Sequence, residues 1–410
     1  MTAATRRTVY REQLLDRILP WWENAVDPHG GVFTCFSNGG DLVSGNKYTW
    51  SQGRWAWLSR ELAESAELTL LDAELWNERA RATARHLELT LTADGSEVAF
   101  VTDRAGTHLP ADESGATSVS VFADLFAVLG FTGAASAADD ADRSRWNDAA
   151  HLLLASADRR VRDGSATSAP YPVPAGFVDL GRSMLLINAA TELHRRTGSE
   201  ASRKIVESAV ARITGPGGQW TDDRCWELRP SDQRDSDTLL ATHLNPGHIL
   251  EMSWMLLDAA AISHTEVPDW LPRTVLRALS TGWDEQHGGI LRFVDNAGGA
   301  PTGRLLGDSP YEDLVVETWD TKLWWVHIEG LLACEMFALH TGDATFGVWA
   351  DRLADYIFAT FPDPAGGGEW LQIRDRAGAP LDRVVALPVK DPFHVPRALL
   401  RMLQLPEGTP

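Results

Sequence analysis

Asp284-Glu-Gln-His-Gly-Gly-Ile290 is one of three copies of a short signature, the others being Asp27-Pro-His-Gly-Gly-Val-Phe33 and Asp363-Pro-Ala-Gly-Gly-Gly-Glu369. An aspartate followed by a run of glycines reads as a turn entering a short strand. A second turn follows each copy, at Asn38-Gly-Gly-Asp41, Asp295-Asn-Ala-Gly-Gly299 and Asp375-Arg-Ala-Gly378, so a β-hairpin is predicted at each place. A weaker copy starts at Asp94-Gly95, where Val98 to Thr102 leads into Asp103-Arg-Ala-Gly106.

Between these copies the apolar residues repeat with a helical period, over 55–69, 75–89, 118–129, 143–157, 182–196, 249–262, 322–340 and 344–360. Helix pairs and hairpins recurring about every 70 to 80 residues must stack or close to bury their apolar faces. Roughly twelve helices of ordinary length fit the chain. The expected fold is therefore all-α, an (α/α)6 toroid with short β-hairpins on one rim and a pocket in the middle. No linker or low-complexity stretch divides the sequence, so residues 1–410 are expected to form one domain.

The 410 residues are 44% hydrophobic and 23% charged, the composition of a globular protein, and no segment approaches the roughly 20 apolar residues that cross a bilayer. A formal charge of −20 repels nucleic acid and anionic lipid. Three dispersed cysteines, Cys35, Cys225 and Cys334, and the absence of a signal-like leader point to a reducing, cytoplasmic setting. CxxC and HExxH patterns are absent, as is a Gly-rich phosphate loop, so neither a metal nor a cofactor is expected. The 17 tryptophans serve either helix packing or stacking on the C–H faces of sugars.

Four clusters carry candidate chemistry. Lys47-Tyr-Thr-Trp-Ser-Gln-Gly-Arg54 places a guanidinium at the start of a helix, suited to a sugar oxygen. Asn245-Pro-Gly-His248-Ile-Leu-Glu251-Met-Ser-Trp254 is a capped helix start, and the threefold spacing puts His248, Glu251 and Trp254 on one face. An imidazole there meets the positive end of the helix dipole, which is expected to lower its pKa and favour the neutral base. Trp319-Asp-Thr-Lys322-Leu-Trp324-Trp-Val-His-Ile-Glu329 crowds aromatic and ionisable groups into one segment, as a polar pocket wall would. In Asp391-Pro-Phe-His394-Val-Pro396-Arg397, Pro396 suits a first helical turn, with His394 just before it.

Two histidines at equivalent junctions of a toroid can face one pocket. One could remove the proton α to a sugar carbonyl and the other deliver one, with an arginine stabilising the enediolate. The candidates are thus His248 and His394 for catalysis, and Arg54, Glu251, Trp254, Lys322, Trp324, Glu329 and Arg397 for substrate binding.

The stretches Gly30–Cys35, Lys47–Arg54, Met184–Asn188, Leu244–Glu251, Lys322–Trp325 and Phe393–Arg397 together resemble the N-acylglucosamine 2-epimerase family across nearly the whole chain. The resemblance implies an (α/α)6 barrel that interconverts sugars at C2, with the two catalytic histidines at His248 and His394, the arginine at Arg54 and the pocket glutamate at Glu251. Members that epimerise cellobiose carry a histidine where this chain has Met184-Leu185-Leu186 and a tryptophan where it has Val389. The isomerases of the family have Thr-Arg-Met in place of Gln52-Gly53-Arg54. The wording here is closest to the N-acylglucosamine epimerases, implying the pair N-acetylglucosamine and N-acetylmannosamine or a related aldose pair.

Two other readings remain open. An aldose–ketose isomerase would use the same histidine pair. A glycoside hydrolase or carbohydrate binder would rely on Glu251 with Asp320 or Glu329, leaving both histidines without a role. The expected partner is a small-molecule sugar, with no nucleic acid and no membrane; a homodimer is compatible with the sequence.

Overall fold

The computed structural model of the chain describes residues 1, 3–221, 224–264, 266–365, 367–383 and 388–406; residue 366 of the third signature lies outside them. Twelve principal helices among these residues alternate between an outer and an inner ring. The outer helices are α1 (Ala3–Glu12, continued through Gln13–Ile18 and Leu19–Glu23), α3 (Ala73–Glu88), α5 (Asp140–Asp163), α7 (Glu200–Thr214), α9 (Leu271–Gly282) and α11 (Ala344–Thr360). The inner helices are α2 (Thr49–Glu64), α4 (Val121–Ala135), α6 (Leu180–Thr197), α8 (Pro246–Ser263), α10 (Trp324–Thr341) and α12 (His394–Gln404). Each inner helix touches the next, and α12 returns to α2, which closes the expected (α/α)6 toroid.

Local chemistry sets the alternation. In α11 the buried residues Phe346, Ala350, Leu353, Ala354 and Ile357 form one stripe, as expected of an outer helix with one wet face. In α4 nearly every residue is buried, because an inner helix meets protein on all sides. Inner α6 and α10 end in left-handed Gly198 and Gly342, and the following Ser199 and Asp343 cap α7 and α11, so one short turn stops one helix and starts the next.

Most inner helices are entered through a strand of two or three residues. The pairs are β3 (Lys47–Tyr48) with β4 (Val101–Thr102), β5 (Phe177–Asp179) with β6 (Leu228–Pro230), β7 (His243–Leu244) with β8 (Val294–Asp295), and β9 (Lys322–Leu323) with β10 (Ile373–Arg374). The first signature is followed by the hairpin expected from the sequence, β1 (Cys35–Phe36) with β2 (Leu42–Ser44), and shorter antiparallel returns join Thr102 to His108 after the weaker copy and Arg374 to Pro380 after the third. In the weaker copy and the second and third signatures the strand after the signature pairs backward with the strand that enters an inner helix. All of these pairs lie on the rim where the inner helices begin.

The first two signatures are clamped alike. Asp27 takes Lys47 Nζ at 2.8 Å and both forks of Arg104, and Gln52 Oε1 accepts from the Val32 amide at 2.9 Å. Asp284 takes Lys322 Nζ at 3.4 Å and both forks of Arg376, and His327 Nε2 accepts from the Ile290 amide at 2.8 Å. The lysine precedes the Gln or His by five positions each time.

Trp22, Trp55, Trp76, Trp146, Trp220, Trp254 and Trp370 are fully buried between helices, so much of the tryptophan content is packing. The three cysteines are buried and unpaired. No helix among the described residues is long and apolar enough to cross a membrane.

Candidate active site

A cavity of about 530 Å³ opens on the strand-bearing rim, lined by the first turns of the inner helices and the loops above them. Arg54, His248, Glu251, Trp324, Trp325, Asp391 and His394 all reach it.

His248 is the third residue of α8, and its amide donates to the capping Asn245 Oδ1 at 3.2 Å. Its Nδ1 lies 2.9 and 3.0 Å from the two oxygens of Glu227, a buried residue next to β6 that also accepts from the Tyr311 hydroxyl at 3.1 Å. Burial favours neutral His248, but the Glu227 charge and hydrogen bond outweigh it and raise the imidazole above its ordinary value. The sequence expectation of a lowered pKa is thereby corrected: an adjacent carboxylate outweighs a half-charge at a helix end. Burial likewise opposes charge on Glu227, and His248 outweighs it, holding that carboxyl low.

His394 is the first residue of α12 rather than the residue before it, and its amide donates to Asp391 Oδ2 at 2.8 Å. Its Nδ1 lies 2.7 Å from Glu329 Oε1 and its Nε2 3.3 Å from Arg54 Nη2. A guanidinium has only donors, so Nε2 accepts from Arg54, while Nδ1 faces the Glu329 carboxylate. Arg54 in turn donates to Asp391 Oδ1 at 3.2 Å and stacks on Phe126, Trp50 and Phe393 at 4.1, 5.2 and 5.1 Å. Burial pushes its guanidinium down to about 10.

The Trp325 indole stands between the two imidazoles, with ring centroids 5.4 Å from His248 and 5.7 Å from His394. Trp324 donates its indole N–H to Asp391 Oδ2 at 3.3 Å.

One helical turn deeper lies an ionic layer. Glu329 is fully buried and accepts from His394, from Arg397 and from Trp254 Nε1 at 2.9 Å, while Arg397 also lies 3.5 Å from Glu251. Glu251, Glu329 and His394 bring three ligand atoms within 4.8 Å of one another, and Arg397 supplies the positive charge there.

Four sequence candidates therefore do not line the cavity. Glu329 and Arg397 sit beneath it and hold His394. Trp254 faces away, because six residues advance a helix by about 240° and turn it off the His248 face; it stacks with Arg397 and Arg401 at 4.6 and 5.0 Å. Lys322 lies on a strand, fully buried in the Asp284 clamp. His327 of the same cluster donates from Nδ1 to the Leu323 carbonyl at 2.7 Å, and burial pushes its pKa down to about 3. Neither Asp320 nor Glu329 reaches the cavity to oppose Glu251, so the carboxylate pair of the hydrolase reading is not assembled.

Sequence reasoning assigned no role to Glu227, Tyr311, Trp325 or Asp391. Asp391 had a local signal, an aspartate three residues before a helical histidine, the spacing of a cap. Glu227 comes from a loop and Tyr311 from the short helix Pro310–Thr318, and their distance from His248 carries no pattern.

Over residues 31–398 the chain matches the sequence profile of N-acylglucosamine 2-epimerase (GlcNAc 2-epimerase). The chain belongs to the N-acylglucosamine 2-epimerase family. It is thus an enzyme of the carbohydrate epimerase and isomerase class. The N-acylglucosamine 2-epimerase of Mus musculus is 28% identical over 96% of this chain and 90% of its own length. The solved structure of cellobiose 2-epimerase from Bacillus thermoamylovorans B4167 shares the fold with a TM-score of 0.75 at 16% identity, covering 98% of this chain and 99% of that one. A D-mannose isomerase structure shares it with a TM-score of 0.73 at 16% identity, covering 97% of both chains. In this N-acylglucosamine 2-epimerase family member, both imidazoles are backed by a carboxylate on Nδ1.

Proposed function

We propose that the protein epimerises C2 of an open-chain aldose, interconverting N-acetylglucosamine and N-acetylmannosamine or a related aldose pair, with His394 and His248 as the proton-transfer pair. The observation that carries this reading is the placement of two carboxylate-backed imidazoles on either side of one indole at the mouth of one cavity. With the aldehyde oxygen against Arg54, Nε2 of His394 takes the C2 proton. The C2–H electron pair moves into the C1–C2 bond and the carbonyl pair moves onto O1, giving an enolate, or an enediolate where C2 bears a hydroxyl, that the guanidinium stabilises. His248, kept protonated by Glu227, delivers a proton to the opposite face of C2 as the carbonyl re-forms. The reverse reaction exchanges the two roles. Glu329 and Asp391 act through His394 and Arg54 as positioning residues.

Incubation with N-acetylglucosamine, mannose and glucose in D2O, followed by NMR, tests the proposal. The expected result is the C2 epimer carrying deuterium at C2. A ketose labelled at C1 identifies an aldose–ketose isomerase instead and overturns it.

A further inference from the structure

The buried arginines of this chain are mostly matched with acids. Arg397 pairs with Glu329 and Glu251, Arg160 with Asp124 and Arg6 with Glu335 and Asp351, and the half-buried Arg54 and Arg196 pair with Asp391 and with Glu61 and Glu192. Arg374 lacks an acid but donates to the backbone carbonyls of Phe361 and Gly378. Arg292 differs from all of these. It is 7% exposed, lines the same cavity as the two histidines, and donates Nη1 to the Thr318 hydroxyl at 3.0 Å. Its guanidinium lies 5.0 Å from the Phe293 ring centroid, and no carboxylate among the described residues pairs with it.

A buried cation without a counter-charge is costly, and a guanidinium fork matches an oxyanion. Its place in the ring indicates where that oxyanion would sit. Arg292 immediately precedes β8, whose partner β7 leads into α8. In the closed ring α2–α4–α6–α8–α10–α12, α8 stands directly across from α2, which carries Arg54. A sugar whose carbonyl oxygen meets Arg54 therefore extends its other end toward Arg292.

We infer that the preferred substrate is not the neutral N-acetylhexosamine pair but a related anionic aldose, bearing a carboxylate or a phosphate at the end of the chain remote from its carbonyl, and that Arg292 is the residue that selects it. The orientation, though not the charge preference, rests on the proposed reaction at C2.

Titration calorimetry of the full chain with D-glucuronate, glucose 6-phosphate and D-glucose reads the inference directly, because the three ligands share a ring and differ at C6. At least one of the anions is expected to bind roughly ten- to a hundredfold more tightly than glucose, the range of one charge-assisted contact. Whichever anion binds more tightly identifies the oxyanion. Arg292→Gln is expected to bring the anion-to-neutral ratio close to one, while Arg292→Lys keeps a reduced preference; circular dichroism checks that both variants fold. Equal binding of all three ligands by the unaltered protein overturns the inference, as does failure to bind either anion or a preference that survives in a folded Arg292→Gln. Measuring C2 deuterium exchange on the same sugars separates the two readings. Anion preference without exchange overturns only the reaction at C2, and exchange without anion preference overturns only the role of Arg292.

Discussion

Glu227 Oε1 lies 2.9 Å from His248 Nδ1, which makes the imidazole at the start of α8 a carboxylate-backed acid. The raised pKa of His248 has a defined pH signature. The stability this shift contributes is present in full below the ordinary imidazole value of about 6.5 and is lost as pH rises through the raised value. With His248 as proton donor, kcat/KM in the direction that starts on His394 falls over the same rise. Glu227→Gln is expected to move that fall to lower pH and to reduce kcat about ten- to a hundredfold, the usual effect of losing a group that orients an imidazole. An unmoved pH–rate profile would show that Glu227 does not set the protonation of His248.

Replacing either histidine by alanine is expected to lower epimerisation by about 10²–10⁴-fold without unfolding the ring. The variants should nevertheless differ in D2O. His248→Ala retains His394 and so is expected to wash deuterium into C2 of one epimer without forming the other, whereas His394→Ala exchanges the opposite epimer. NMR of recovered starting sugar distinguishes them. Near-normal turnover in either variant contradicts the two-base assignment.

Gly289 has φ +77°, and a Cβ there would lie 2.5 Å from the Tyr356 ring and 2.9 Å from His327 Nε2. Gly299 has a similar φ of +80° with nothing within 4 Å. Gly289→Ala is therefore expected to cost about 2–4 kcal/mol in urea unfolding, and Gly299→Ala about 1 kcal/mol, since only the first adds a collision to the backbone penalty. Equal losses would mean that the close approach to Tyr356 and His327 is not what requires glycine.

Lys322 is assigned to the rim clamp, so its loss should be structural. Lys322→Met leaves Asp284 and the Arg376 carbonyl without the ammonium, at a cost of about 3–5 kcal/mol in urea denaturation. Protein that remains folded should keep an unchanged KM. A raised KM with unaltered stability would return Lys322 to the substrate.

The fold was legible because of its repetition. The range 344–360 coincides with α11, where Asp343 caps the helix and one apolar stripe faces inward. The range 55–69 was displaced from α2, because an inner helix buried all round has no stripe to mark its start. Helices α1, α7 and α9 escaped notice, although Val206, Ala209 and Ile213 are buried in α7; their charged neighbours hide a narrow apolar strip. In the site, short spacing brought out residues that lie on the first two helical turns, His248, His394, Arg54 and Trp324. The same spacing misassigned Lys322, whose chemical type served the repeat, and Trp254, which the helix turns away. Glu227 and Arg292 come from separate loops and Tyr311 from the short helix Pro310–Thr318, and only ring closure gathers them.

That closure has a consequence in time. Arg54 meets Asp391 and His394 across more than three hundred positions, and Arg7 donates to the carbonyls of Met402, Leu403 and Leu405 at the same seam. Contacts so distant in sequence form slowly, since the loop entropy is lost before they return anything. On refolding, the helices should recover their circular dichroism early and the ability to turn over sugar last. The arginine–histidine contact across the seam would thus act as the enzyme's final checkpoint, keeping half-closed rings inert.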